Sequence, residues 1–208
     1  MARHSLLLSL VLFQVEKPTP ACLVVCTGEG AHAAETDVPS LKKSPSWVHV
    51  DAVVQQTPGK DLEAFLTSHL GDHAAPASPL VTTAINILNI DLWRAAGHVP
   101  SVVIGHSVGE VAAAYVAGKL SIGAAIRTAH VLGQAGAECD GAMAHARLTQ
   151  AELDAWPDGD LRVAALNSVS SDGRLSVTLC GPAARVEAWL AEQEDAKMLT
   201  PPHPWHHE

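Results

Sequence analysis

An α/β protein is predicted by three observations. The continuous apolar run Ala21 to Cys26 ends at Gly28-Glu29-Gly30, as a buried parallel strand feeding a loop does. A second apolar run, Ser101 to Ile104, leads through Gly105-His106-Ser107-Val108-Gly109-Glu110 into the helix-forming stretch Val111 to Ala117. That is strand, sharp turn and helix with a serine at the apex, a nucleophile elbow. From Ala142 to Leu199 the pattern then reads β-α-β-β-α-β, the ferredoxin-like order. The expected architecture is a hydrolase-like core with a parallel sheet, carrying an inserted ferredoxin-like subdomain. Its expected divisions are a lead-in segment over 1–20, the core over 21–138, the subdomain over 139–200 and a histidine-rich return segment over 201–208.

Each element has its own signal. Met1-Ala2-Arg3-His4 followed by the apolar Ser5 to Phe13 has the outline of a secretory signal. The run is too short to span a bilayer and no small-x-small cleavage site follows, so a lead-in packing on the domain is expected. Between Ala33 and Pro58, the prolines at 39, 45 and 58 break any long helix. Asp61 to Leu70 reads as a short amphipathic helix. Leu80 to Ala96 reads as a longer one ended by Gly97, with Ile85, Leu88, Leu92 and Ala96 on one face. Gly118 can cap the helix after the serine, and Ser121 can N-cap the next, Ile122 to about Ala135. Then come a strand from Ala142 to Leu148, a helix from Gln150 to Trp156 capped by Thr149, and strands Leu161–Leu166 and Leu175–Leu179 around Asp172-Gly173. A helix from Ala183 to about Glu194 and a last strand over Lys197-Met198-Leu199 complete the series.

Composition removes several function classes. A formal charge of −9 makes nucleic acid an unsuitable partner. No apolar run is long enough for a membrane span. Cys22 and Cys26 share one apparent strand at about 13 Å, too far apart to pair. Four cysteines in a chain of 208 residues fit reduced thiols and a cytoplasmic location.

The elbow points to acyl transfer through a covalent serine ester. Ser107 is the candidate nucleophile. The glycines beside it admit neighbouring backbone and strained dihedrals. Val108 lies at the helix N-terminus, where its backbone N–H and the helix dipole favour an oxyanion. A serine needs a base, and twelve histidines are available. His106 adjoins Ser107 and points away from its hydroxyl, which suits packing. His203, His206 and His207 cluster after the subdomain, where the competing readings are a catalytic base, a disordered tail or an adventitious metal site. No resident metal or bound cofactor is expected. Gly28-Glu29-Gly30-Ala31-His32-Ala33 also fits the dinucleotide fingerprint, with Asp51 at about the right distance, but Pro39 and Pro45 leave no room for its helix.

Gly28-Glu29-Gly30-Ala31-His32, Gly105 to Glu110, and a ferredoxin-like unit followed by histidine together resemble the malonyl-CoA:acyl-carrier-protein transacylase family, above all the acyltransferase domains of polyketide and type I fatty acid synthases. Asp91-Leu92-Trp93-Arg94, Ala112 to Gly118 and Gly141-Ala142-Met143-Ala144 extend the resemblance. It implies a ping-pong reaction in which Ser107 takes an acyl group from acyl-CoA and passes it to the phosphopantetheine thiol of an acyl carrier protein or carrier domain, among other synthase domains. It implies His206 as base, from Trp205-His206-His207, and Glu29 as the second oxyanion N–H, where the family has glutamine. His106 and Leu132 are implied at the acyl-binding site. The family arginine that clamps a free carboxylate falls at Leu132, and Arg127 lies more than one turn earlier. An uncharged acyl group, as in starter-unit loading, is therefore expected. The family chain continues well past its histidine, so the core is expected to be incomplete at the C-terminus: a fragment, or a chain that works with a companion. Two other readings stand beside this one, a serine esterase or thioesterase, and a degenerate acyltransferase remnant that only binds a carrier protein.

Overall fold

The computed structural model describes residues 10–14 (by backbone alone), 22–32, 34–73, 76–157 and 159–199. The chain divides into two compact units, Ser9–Ala135 and a second running on from Gly136.

The first unit is built on three strands, β1 (Leu10–Gln14), β2 (Leu23–Cys26) and β3 (Val102–His106), in the order β1-β3-β2. β2 and β3 are parallel, with Cys26 level with Gly105. Parallel strands in register end on the same side, so the loop after β2 and the turn after β3 meet. The sheet is not wholly parallel as expected, because β1 pairs antiparallel to β3, from Leu10 opposite His106 to Gln14 opposite Val102. Part of the apolar N-terminal run thus forms an edge strand; residues 1–9 lie outside the described ones.

Helices α1 (Val38–Leu41), α2 (Trp47–Gln56) and α3 (Leu62–His69) follow β2. The sequence reading missed α2, because Pro45 and Pro58 bracket it rather than interrupt it; its Val50 and Val54, one turn apart, are fully buried. Asp61 caps α3 by accepting the Ala64 N–H at 2.8 Å. Helix α4 (Ser78–Ala95) crosses the core with Leu80, Val81, Ala84, Ile87 and Leu88 at zero exposure. The single stripe expected on α4 is corrected: Ile85 and Leu92 are only partly buried and Ala96 is exposed. The helix is covered over a wider arc than one stripe, and its most central residues sit one or two places along. α5 (Gly109–Val116) and α6 (Ile122–Glu138) complete this unit's helices, and Ser121 Oγ accepts the Ala124 N–H at 3.1 Å.

The second unit runs β4 (Ala142–Leu148), α7 (Gln150–Asp154), β5 (Arg162–Val169), β6 (Leu175–Gly181), α8 (Ala183–Leu190) and β7 (Ala196–Met198). Its antiparallel sheet has the order β5-β6-β4-β7. Along β4 every second residue is buried, and Ala142, Ala144, Ala146 and Leu148 meet Leu175, Val177 and Leu179 of β6 in a separate core. Thr149 and Glu152 form a capping box at α7. Trp156 and Trp189 meet edge to face at 5.7 Å.

Candidate active site

The chain turns at Ser107 with φ of 52°, the one non-glycine residue in the left-handed region among those described. That conformation costs about 1–3 kcal/mol and persists only where its surroundings enforce it. Here they do. A Cβ on Gly105 would run into the backbone of Gly109 and Glu110, and one on Gly109 into the carbonyls of Cys26 and Thr27. β3 and α5 therefore close into a hairpin-tight turn, and α5 lies directly on the end of β2. Both sequence glycines are required by close backbone approach.

The third wall is the loop after β2. A Cβ on Gly28 would stand 2.7 Å from His106 Nδ1, 2.8 Å from the His106 carbonyl oxygen and 3.2 Å from Ser107 Cβ. The structure thus brings Gly28 against the serine, and Glu29 is the next residue of the same loop. Val108 stands at the N-cap of α5; the first turn closes with the Glu110 N–H on the Ser107 carbonyl at 3.0 Å and the Val111 N–H on the Val108 carbonyl at 3.1 Å. Its N–H therefore belongs to the positive end of the helix.

His106 is exposed rather than packed in the core, a correction to the sequence reading. It is the last residue of β3 and lies next to Gly28. Burial raises the Glu110 carboxyl above its ordinary range, and the imidazole of His106 opposes that shift.

Leu132 is half-buried, packed against the first unit's core. Arg127 is exposed, its guanidinium folded back over Gly123, so it faces away from the buried Ala125, Ile126 and Ala129. The predicted base His206, with His203 and His207, lies outside the described residues.

Two arrangements were not foreseen. Asn86 of α4 grips Thr27: its Oδ1 faces the Thr27 N–H at 3.3 Å and Oγ1 at 3.4 Å, and its Nδ2 donates to the Thr27 carbonyl at 3.0 Å. Asn86 is one of several polar residues of α4, so the sequence did not single it out. At the C-terminal end of α5, buried Asp91 receives the Ser46 hydroxyl, the Tyr115 hydroxyl at 2.6 Å and the Arg94 guanidinium at 3.0 Å, while Arg94 also donates to the Val116 carbonyl at 2.7 Å. This ties α4 to α5. The i, i+3 pair Asp91 and Arg94 was visible in sequence; its partners were not.

The fingerprint histidine has a structural place. His32 is 6% exposed, accepts the Gly71 N–H on Nδ1 at 3.2 Å and lies 4.7 Å from the His73 ring. Burial, and then His73, bring its pKa down to about 4. No helix begins on Gly28–Gly30, since α1 starts only at Val38, so the loop lacks the helix a dinucleotide site needs. Among the described residues no group of three or more His, Cys, Asp or Glu is arranged to hold a metal, and no helix is long and apolar enough to cross a membrane.

Comparison with known proteins places the site in a family. The acyl transferase domain family matches residues 40–200. The chain is 34% identical over 204 residues to the polyketide synthase-nonribosomal peptide synthetase phmA of Phaeosphaeria nodorum, covering 86% of this chain and 5% of that protein. It is 40% identical over 126 residues to the highly reducing polyketide synthase acrA of Aspergillus aculeatus, covering 55% of this chain and 5% of that protein. Among solved structures it is similar to a loading acyltransferase from the avermectin modular polyketide synthase, at 26% identity and a TM-score of 0.67, covering 88% of this chain and 63% of that one. Its fold also matches the malonyl-CoA:ACP transacylase of Synechocystis sp. PCC 6803, at 22% identity and a TM-score of 0.73, covering 89% of this chain and 64% of that one. The elbow, its glycine walls and these similarities together show that the chain belongs to the acyl transferase domain family.

Proposed function

We propose that this chain carries the serine of an acyl-CoA:acyl-carrier-protein acyltransferase of polyketide or fatty acid synthesis. The observation that carries the reading is the left-handed Ser107, walled by glycines, with the Gly28 loop against it. Ser107 Oγ attacks the thioester carbonyl of an acyl-CoA while its proton passes to an imidazole, for which His206 is the candidate. The backbone N–H groups of Glu29 and Val108 hold the oxyanion. The C–S bond breaks, the proton moves to the departing coenzyme A thiolate, and an acyl-serine remains. A phosphopantetheine thiol of a carrier protein then attacks that ester, giving its proton to the imidazole; the C–Oγ bond breaks and the imidazolium returns the proton to Ser107 Oγ, leaving the acyl thioester on the carrier. Nothing bound permanently is needed; acyl-CoA and the carrier arm are both substrates. The βαββαβ order with strands β5-β6-β4-β7 supports a ferredoxin-like reading of the second unit, and the β2–β3 pair with its elbow a hydrolase-like reading of the first.

Leu132 and the outward-facing Arg127 support a preference for an uncharged acyl group, with His106 and Leu132 at the acyl site. The chain spans 5% of each of these two synthases, so the transfer partner is part of the proposal. The test is radiolabelled acyl-CoA with and without a carrier protein. Label that reaches the carrier, and that Ser107→Ala abolishes, is expected; release as free acid would make the chain a hydrolase instead. In competition, acetyl-CoA should outrun malonyl-CoA, and the reverse order would contradict the uncharged-acyl assignment.

A further inference from the structure

We infer that Asn86 is a positioning residue for the oxyanion site, acting through Thr27. Its carboxamide holds Thr27 on both sides of the residue: Oδ1 takes the N–H at 3.3 Å and faces the hydroxyl at 3.4 Å, while Nδ2 donates to the carbonyl at 3.0 Å. Each peptide is planar, so fixing the Thr27 N–H and C=O sets the planes before and after this residue. Only the two dihedrals of Gly28 then separate the held plane from the Glu29 N–H. Those dihedrals are confined in turn, because Gly28 lies against His106 and Ser107.

The Thr27 carbonyl is also one of the two carbonyls, with that of Cys26, that Gly109 of the elbow packs on; a Cβ on Gly109 would stand 2.6 Å from it. Asn86 thus donates to a carbonyl wedged against the start of α5. The same amide that orients the loop also keeps that loop in register with the helix N-terminus. Asn86 comes from the middle of α4, whose neighbours Ile87 and Leu88 are at zero exposure, so the clamp rests on a packed element rather than on another loop. Donors aimed at an oxyanion act through their fixed direction, which is what this clamp supplies.

The inference rests on the acyl-serine reading, and the experiment separates the two. Single-turnover acylation by acetyl-CoA is followed in the full chain for wild type, Ser107→Ala, Asn86→Ala and Asn86→Asp. Asn86→Ala is expected to slow acylation about 10- to 100-fold at saturating acetyl-CoA, with the half-saturating concentration unchanged. Asn86→Asp, the same shape with its donor lost, should fall between. Wild-type label that Asn86→Ala forms at full rate, or a change confined to half-saturation, would overturn the assignment of Asn86 alone. Label absent from wild type and Ser107→Ala alike would overturn the acyl-serine reading and the oxyanion role together. Amide deuterium exchange over Thr27–Gly30 reads the clamp without chemistry. Exchange faster there in Asn86→Ala, and unchanged in α5, is expected; unaltered exchange at Thr27 would show that Asn86 holds nothing.

Discussion

In the unit that carries Ser107, polar side chains are drawn out of water, whereas in the Gly136 unit they stay at the surface. Asp91 is 6% exposed and joins Ser46, Tyr115 and Arg94 at the C-terminal end of α5. The corresponding cluster of the second unit, Arg147 with Ser170 and Asp172, lies at the end of the β5–β6 hairpin, and Asp172 is exposed. The glycines differ as well. Those at the elbow meet backbone of other segments, while Gly173 in the hairpin has open space around it and is needed for its φ of +80°. The elbow is shaped by close approach, and β4 by alternation along the strand. The site belongs to the region where backbone segments touch, because a turn held from three sides keeps a strained serine in place.

Four substitutions sharpen that contrast. Asp91→Ala should have the largest effect, about 3 kcal/mol, because it strands the Tyr115 hydroxyl and the half-buried Arg94 charge. Thermal unfolding should show a midpoint lower by roughly 6–12 °C; a fall of a degree or two would mean that the network contributes little.

His32 gives the next effect, read as a pH dependence. Its pKa lies at 6.5 when unperturbed and at about 4 in the fold. Above 6.5 it is neutral in both states and contributes nothing to the pH slope. As pH falls from 6.5 towards 4 the unfolded chain takes the proton first, so stability is lost across that window and no further below it. Denaturant titrations of His32→Gln should show this part of the acid loss removed, and an unchanged slope would assign it to other groups.

Gly109→Ala should cost about 2 kcal/mol by forcing β2 away from the elbow, and should lower acylation more than stability. Full acylation in a destabilised variant would break the link between close approach and chemistry. Asp172→Ala should leave the unfolding midpoint unchanged, since its bonds to Ser170, Arg147 and the Arg174 N–H lie in solvent. A large fall there would erase the contrast between the two units.

Sequence made the order of elements in the second unit legible, with β4 found at its bounds and the ends of the other elements displaced by up to about four residues. Ala142 to Leu148 read as a strand, Thr149 announces a cap, and Asp172-Gly173 announces a turn; each is a local signal with a local outcome. The elbow was legible for the same reason, since Gly105, Ser107 and Gly109 act within five residues. What escaped was set by distance along the chain. Asn86 meets Thr27 across 59 residues and Ser46 meets Asp91 across 45, and no period or spacing encodes such pairs. α2 escaped because two prolines that bound a helix look in sequence like prolines that forbid one.

The central claim, that the glycine-walled turn makes Ser107 a nucleophile, is tested most directly by intact mass and peptide mapping after exposure to excess acetyl-CoA. One acetyl group is predicted, on the peptide containing Ser107 and absent from Ser107→Ala. An adduct that forms equally in Ser107→Ala, or no adduct on wild type, would contradict it.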